Sequence, residues 1–258
     1  MLIFIVGLII GSFLNAVIYR LAKSESMIKK RSHCLKCGHV LAWYELVPVI
    51  SFVIQRRRCR ACSALISWQY PIVELATGAI CLLILKFFSP FEFLNLVYLA
   101  YLMAVASLLI VIFVYDLKHY IVPDEIIYPA ILVSSIWYLV SSIFFNLYTK
   151  YYLLNTFYSA CGAAVVFATI FFISKGRWLG FGDVKLVFFM GLFLGWPNIL
   201  AALFFAFMLG GIIGIGLIAL GKKTLKSQVP FGPFLVAGTF VAMFWGRGII
   251  NWYLNLFI

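Results

Sequence analysis

Two aspartates and two cysteine pairs carry most of the chemistry this chain can offer. Asp116 stands in Val114-Tyr115-Asp116-Leu117, where a long uncharged run ends. Asp183 stands in Leu179-Gly180-Phe181-Gly182-Asp183-Val184-Lys185, just before another such run. Gly180 and Gly182 carry no side chains, so a second helix end can come close to Asp183. Two carboxylates a few ångströms apart cannot both ionise, and such a pair shares a proton. It then offers a general base for water and an acid for a scissile carbonyl, with no metal, serine or cysteine needed. Each residue also has a structural reading. Asp183 would serve as a helix cap, and Asp116 as an interfacial charge paired with Lys118.

The cysteines form Cys34-Leu35-Lys36-Cys37 and Cys59-Arg60-Ala61-Cys62, with 21 residues between the pairs. This is close to the Cys-x2-Cys-x15–20-Cys-x2-Cys zinc pattern. A two-residue gap lets both thiolates reach one ion, and two such knuckles complete a tetrahedron. Cys34, Cys37, Cys59 and Cys62 are therefore expected to hold one structural zinc. A loop this small has no core of its own, so ligation would supply its folding energy. His33 and His39 are read as solvated neighbours, because four thiolates already close the site. Cys81 and Cys161 stand alone in apolar runs and read as small core residues.

The elements that position these groups follow from composition. Of 258 residues, 65% are hydrophobic and 11% charged, and the mean hydropathy is +1.10. Soluble domains average about 45–50% apolar and about 25% charged residues, so a soluble fold, disorder and a secreted disulfide scaffold are excluded. The uncharged runs 1–19, 93–115, 126–149, 151–174 and 227–246 read as membrane spans, and 71–88 reads as another. The run 186–221 has 36 residues. As one helix it would reach about 54 Å, too long for a hydrocarbon core of about 30 Å. Trp196-Pro197-Asn198 divides it into two spans. The expected fold is an all-α polytopic membrane protein of about eight transmembrane helices, with a cytoplasmic zinc-binding loop after the first. The expected division is 1–19 first helix, 20–70 loop and 71–258 helical bundle.

With residues 20–70 in the cytoplasm and the helices alternating, seventeen of the twenty Lys and Arg fall on that side. Lys86, Lys150 and Arg247 fall on the other. This is the positive-inside pattern. It puts both termini outside the cytoplasm and both aspartates at the cytoplasmic face. Residues 1–19 lack a basic start, so the first helix is expected to be retained rather than cleaved. The net charge of +12 is explained by the same pattern. The basic groups Lys29-Lys30-Arg31 and Arg56-Arg57-Arg58-Cys59-Arg60 suit anionic lipid heads. No aromatic stacking platform for nucleic acid is visible.

Of the remaining acids, Glu25 and Glu45 lie in the loop and Glu92 in an outer connection. Asp124 and Glu125 begin a helix, where negative charge suits the helix dipole. Glu74 lies within a span, where acids are functional suspects. One reading of it is a buried polar tie between helices. Gly210 and Gly214 have the spacing of a helix contact, and Gly11, Ser12 and Asn15 that of a packing face.

Six motifs in order give the chain a resemblance. They are Gly11-Ser12-Phe13-Leu14-Asn15 with Val17-Ile18-Tyr19-Arg20-Leu21, the paired cysteine loop, Tyr70-Pro71-Ile72-Val73-Glu74-Leu75, Asp116-Leu117 with Val122-Pro123-Asp124, Gly180 to Leu186, and Pro230-Phe231-Gly232-Pro233-Phe234-Leu235. The chain resembles the bacterial type IV prepilin peptidases, membrane aspartyl proteases of the Gly-x-Gly-Asp kind. The resemblance implies that Asp116 and Asp183 are the catalytic aspartates, with Gly180, Gly182, Lys185 and Glu74 as supporting motif residues. It implies cleavage of a leader ending in Gly from type IV prepilins and pseudopilins at the cytoplasmic face of the bacterial cell membrane. It also implies N-methylation of the new terminus with S-adenosylmethionine, an activity associated with the cytoplasmic loop. Leu46 stands where relatives often carry Asn, as in the competence-pilus branch. The sequence itself shows no methyl-donor site, and with the resemblance Glu74 is either the polar tie between helices or part of the methyl-donor pocket.

Two rival classes remain on the residues alone. A proton-coupled transporter would use Asp116, Asp183 and Glu74 as relay groups. Such groups usually lie at the midplane of repeated halves, and the two halves of this sequence show no repeat. A zinc-loop membrane adaptor would leave the two aspartates without a purpose.

Overall fold

The computed structural model describes residues 2–23, 31–88, 93–144, 148–222, 224 and 229–256. Glu25, Lys29, Lys30 and Glu92, singled out above, lie outside these. Among the described residues every regular element is helical: α1 (Leu2–Ala22), a 3-10 turn (Trp43–Leu46), α2 (Ile50–Ile54), α3 (Gln69–Phe87), α4 (Phe93–His119), α5 (Asp124–Phe144), α6 (Tyr148–Ser174), α7 (Phe181–Leu194), α8 (Asn198–Ala219) and α9 (Gly232–Leu254). The chain is an all-helical, multi-pass membrane protein.

Six of these helices are long and apolar enough to cross a membrane: α1, α3, α4, α6, α8 and α9. The other two long elements are the ones expected from the runs 126–149 and 186–221. Helix α5 carries Asp124 and Glu125 in its first turn and Pro129 inside it. Helix α7 has 14 residues, about 21 Å, shorter than the hydrocarbon core. It starts at Phe181 rather than Leu186, so Asp183 lies inside its first turn. The expected break after it is present. Gly195 (φ +65°) ends α7, and α8 begins at Asn198.

The chain divides into two compact units, residues 1–111 and 112–258. In the first, α1 packs along α3 through small residues. A Cβ on Gly7 would lie 2.7 Å from the Cα of Gly78, and one on Gly11 would lie 2.7 Å from the Cα of Glu74. Backbones this close require glycine. Gly11 and Asn15 are buried, as a packing face should be, and Cys81 is a core residue beside Gly7. In the second unit, α6 packs on α7 and α8 on α9. Gly191 meets the backbone of Ala160, and Gly238 meets that of Ala202. The Gly210/Gly214 spacing is only half used. Gly210 faces Phe234, while Gly214 has open space beside it.

Candidate active site and metal-binding loop

Three segments of the second unit build the aspartate site. Helix α4 carries Asp116 in its last turn, α7 carries Asp183 in its first, and α9 begins at Gly232. Asp116 is 3% exposed and Asp183 8%. Each carboxylate meets a backbone N–H at a helix start, where donors lack partners within the helix and the dipole favours negative charge. Gly180 N–H donates to Asp183 Oδ2 at 3.0 Å, and Asp183 N–H donates back to the Gly180 carbonyl at 3.1 Å. Gly232 N–H donates to the carboxylate of Asp116. The two carboxyls are near enough for the charge of Asp116 to act on Asp183. Asp116 is buried against the start of α9 and is not paired with Lys118, which is exposed.

The glycines divide the work unevenly. A Cβ on Gly232 would collide with the Asp116 carboxylate, and one on Gly182 would sit 3.0 Å from the Cβ of Val122. The expected close approach beside Asp183 is therefore made at Gly182, by Val122 in the segment between α4 and α5. Gly180 is not crowded. Its nearest neighbour is the carboxylate of Asp183 itself at 3.7 Å. Lys185 Nζ reaches Asp124 Oδ1 at 2.7 Å and lies over the rings of Tyr128 and Phe181 at 4.9 and 5.2 Å. It clamps the start of α7 to the start of α5. An apolar cavity of about 370 Å³ opens beside the site, lined by Leu117, Val229, Pro230, Pro233 and others.

In the first unit, the four Sγ atoms of Cys34, Cys37, Cys59 and Cys62 all lie within 4.8 Å of one another. Cys34 and Cys62 are 3.8 Å apart. A tetrahedral ion with metal–sulfur bonds of about 2.3 Å needs sulfur–sulfur edges of about 3.8 Å, so the donor set fits such an ion. The knuckles are two copies of one turn. Cys34 N–H bonds the His39 carbonyl at 2.8 Å, Gly38 N–H that of Cys34 at 3.0 Å, and Leu41 N–H that of Ser32 at 2.9 Å. Cys59 to Ala64, Ser63 to Cys59 and Ile66 to Arg57 repeat the pattern, each at 2.9 Å. Gly38 and Ser63 share the left-handed conformation, φ +73° and +56°. The sequence hides this repeat because little beyond the cysteines is identical.

The thiols do not share one acidity. The Cys37 backbone N–H, helped by that of Lys36 and by neighbouring thiols, holds Cys34 down to about 6 against desolvation. At Cys62 the Ala64 backbone hydrogen bond is outweighed, chiefly by the thiol of Cys37, and the thiol is pushed up to about 11. His33 packs edge-on against Tyr19, and His39 lies 3.5 Å from Glu45. Neither joins the cysteine cluster. Two members of the arginine run are used inside the loop rather than only at a lipid surface. Arg57 donates to the Ile66 carbonyl at 3.0 Å and lies over Trp68. Arg60 lies over Tyr44 and 4.0 Å from Glu45.

Comparison with known proteins places this geometry in a family. Residues 5–88 match the bacterial peptidase A24 N-terminal domain, and 103–215 match the type IV leader peptidase family. A prepilin leader peptidase/N-methyltransferase of Aeromonas salmonicida is 30% identical over 98% of this chain and 93% of its own length. The chain belongs to the type IV leader peptidase family. A relative of the same description from Bacillus subtilis is 31% identical over 99% of this chain and 98% of its own. One from Myxococcus xanthus is 37% identical over 88% of this chain, which spans 65% of that relative's length. No solved structure matches.

Two residues, Val49 and Gly232, take on significance that the sequence did not signal. Glu74, 6% exposed, accepts from Val49 N–H at 2.8 Å and from the side chain of Ser12. Val49 sits at φ +60°, a conformation that a β-branched residue avoids. No residue pattern announces a strained valine, so only the structure reveals it. Gly232 was visible only as part of a motif, and its contact with Asp116 was not.

Proposed function

We propose that the chain is a membrane aspartic endopeptidase acting on type IV prepilins and pseudopilins, and that Asp116 and Asp183 are its catalytic pair. The observation that carries this is the pair itself. Two buried carboxyls lie close enough to interact, and each is fixed by a helix-start N–H, in a chain whose relatives are prepilin leader peptidase/N-methyltransferases. The ionised carboxyl takes a proton from water as that oxygen attacks the scissile carbonyl. The protonated one donates to the carbonyl oxygen. Collapse of the tetrahedral intermediate breaks the C–N bond, and a proton returns to the leaving amine. The apolar cavity beside Leu117 and Pro233 suits hydrophobic residues of a pilin segment arriving from the bilayer. A proton-coupled transporter gains nothing from the family membership or from a water-activating pair.

The supporting roles follow from contacts. Gly232 and Gly180 supply the N–H groups, Gly182 admits Val122, and Lys185 fixes the start of α7. The released pilin terminus is then N-methylated with S-adenosylmethionine. Cys34, Cys37, Cys59 and Cys62 hold a structural zinc, which supplies folding energy to the loop and no catalytic step. Residues 20–70 face the cytoplasm of a bacterial cell membrane, both termini lie outside it, and residues 71–258 form the protease bundle. Incubation of the purified chain with a prepilin, with and without methyl donor, tests the whole reading. Expected products are a pilin shortened by its leader, and the same pilin heavier by one methyl group when donor is present. An uncut prepilin would overturn it.

A further inference from the structure

The first unit contains a cavity of about 340 Å³, within the roughly 300–1,000 Å³ typical of small-molecule sites. Its walls come from three places. Helix α1 gives Asn15 and Tyr19, the start of α3 gives Tyr70 and Glu74, and the cysteine loop gives Glu45 and Phe52, among others. From this arrangement we infer that the cavity is the methyl-donor site, with the Glu74 carboxylate facing the sulfonium of S-adenosylmethionine. The inference rests on the methyl-transfer reading above and says where the donor sits.

Charge singles out Glu74. Two buried carboxylates line the cavity. Glu45 already has the Arg60 guanidinium at 4.0 Å and the His39 ring at 3.5 Å beside it. It also accepts from Ala42 N–H at 2.9 Å. Glu74 has only the neutral donors Val49 N–H and Ser12, and among the described residues no ion pair reaches it. A buried carboxylate without a cation is costly unless a ligand brings one. The donor brings a fixed positive charge that no change of protonation removes. Tyr19, Tyr70 and Phe52 supply aromatic surface for that cation and for the adenine.

The surrounding backbone is held for this purpose. Asn15 is locked in place. Its amide donates to the Tyr70 carbonyl at 3.1 Å, and its Oδ1 accepts from Gln69 Nε2 at 3.1 Å. Val49 adopts its unfavourable φ in a tight turn in which Ile50 N–H bonds the Pro48 carbonyl. That turn aims the Val49 N–H at Glu74. Strain of this kind persists where surroundings over-determine it, commonly at ligand sites. Cys34 and Cys59 also line the cavity, so the metal loop forms one of its walls. In the transfer step, the lone pair of the pilin's free terminal amine attacks the sulfonium methyl carbon. The carbon–sulfur bond breaks with its electrons going to sulfur. The products are S-adenosylhomocysteine and a methylated ammonium, which afterwards gives its proton to water.

Isothermal titration of the full chain in nanodiscs, with S-adenosylmethionine and separately with S-adenosylhomocysteine, which lacks the sulfonium charge, tests this. Glu74→Gln keeps an acceptor for Val49 N–H and removes the charge. It should weaken S-adenosylmethionine at least about tenfold and S-adenosylhomocysteine by less than about threefold, so that the discrimination between the two collapses. Ala16→Phe, which fills the cavity from α1, should weaken both. Metal content per chain checks that each variant's loop has folded. Undiminished binding of S-adenosylmethionine by both variants would overturn the site and leave methyl transfer standing elsewhere. A wild-type chain that binds no donor and adds no methyl group would overturn both.

Discussion

Gly232 offers a graded test of how the aspartate site is held. Its N–H bonds the Asp116 carboxylate, and a Cβ at this position would overlap one carboxylate oxygen and sit 3.1 Å from the carboxyl carbon. Gly232 opens α9, whose backbone is pinned to α8 at Gly238, so the carboxylate must give way. A retreat on the order of 1 Å at a catalytic group costs about a hundredfold in rate, or about 2.7 kcal/mol. Gly232→Ala should therefore cut prepilin cleavage about a hundredfold while the chain still inserts. Gly182→Ala presses Val122 from 3.0 Å, a contact relieved by a few tenths of an ångström, and should cost about tenfold by the same scaling. At Gly180 the backbone is extended, φ −77° and ψ 153°, and no crowding is present. Gly180→Ala should stay within about threefold of wild type. The assay is cleavage rate under single-turnover conditions with matched amounts of membrane-inserted enzyme. Wild-type cleavage by Gly232→Ala, or a loss at Gly180→Ala as large as at Gly232→Ala, would refute this reasoning.

Other consequences can be measured beside it. Cys34→Ser combined with Cys59→Ser should abolish bound metal and methyl-donor binding while the helices still insert; one zinc per chain in that variant would remove these residues from the ligand set. Protons compete with the metal for all four thiolates, so metal content titrated against falling pH should drop in acid; metal content unchanged by acid would refute thiolate ligation. The cleavage rate should pass through a maximum with pH, falling in acid when both carboxyls are protonated and in alkali when neither is, the limbs belonging to the pair. Lys185→Met should lower the melting temperature only slightly, since half-exposed ion pairs contribute about 0.2–1 kcal/mol. Lys185→Arg should restore it.

Much of the molecule was legible in the residues because membrane insertion imposes a coarse code. Uncharged runs marked the long helices, and Trp196-Pro197-Asn198 marked the break between α7 and α8. The four cysteines announced their own cluster, since two-residue spacing leaves thiolates few other uses. Asp116 and Asp183 stood out because acids are rare beside apolar runs. What the sequence hid depends on tertiary contact. Nothing in Pro230-Phe231-Gly232 says that its N–H meets Asp116 rather than water. The boundary of α7 was misplaced by five residues because Asp183 and Lys185 interrupt the apolar run without interrupting the helix. The spacing of Gly210 and Gly214 suggested a contact that only Gly210 makes, because glycine spacing does not reveal which residues lie opposite. The knuckle repeat is written in backbone hydrogen bonds, to which side-chain identity is nearly silent.

The central claim is that Asp116 and Asp183 act as one pair, neither able to substitute for the other. Its most direct test is the cleavage of a purified prepilin by Asp116→Asn and by Asp183→Asn, read by mass spectrometry as leader release. Asparagine keeps the shape of each side chain and removes the ionisable group. Each variant should release no leader while still inserting, retaining metal and binding the methyl donor. Release of the leader at a substantial fraction of the wild-type rate by either variant would contradict the account.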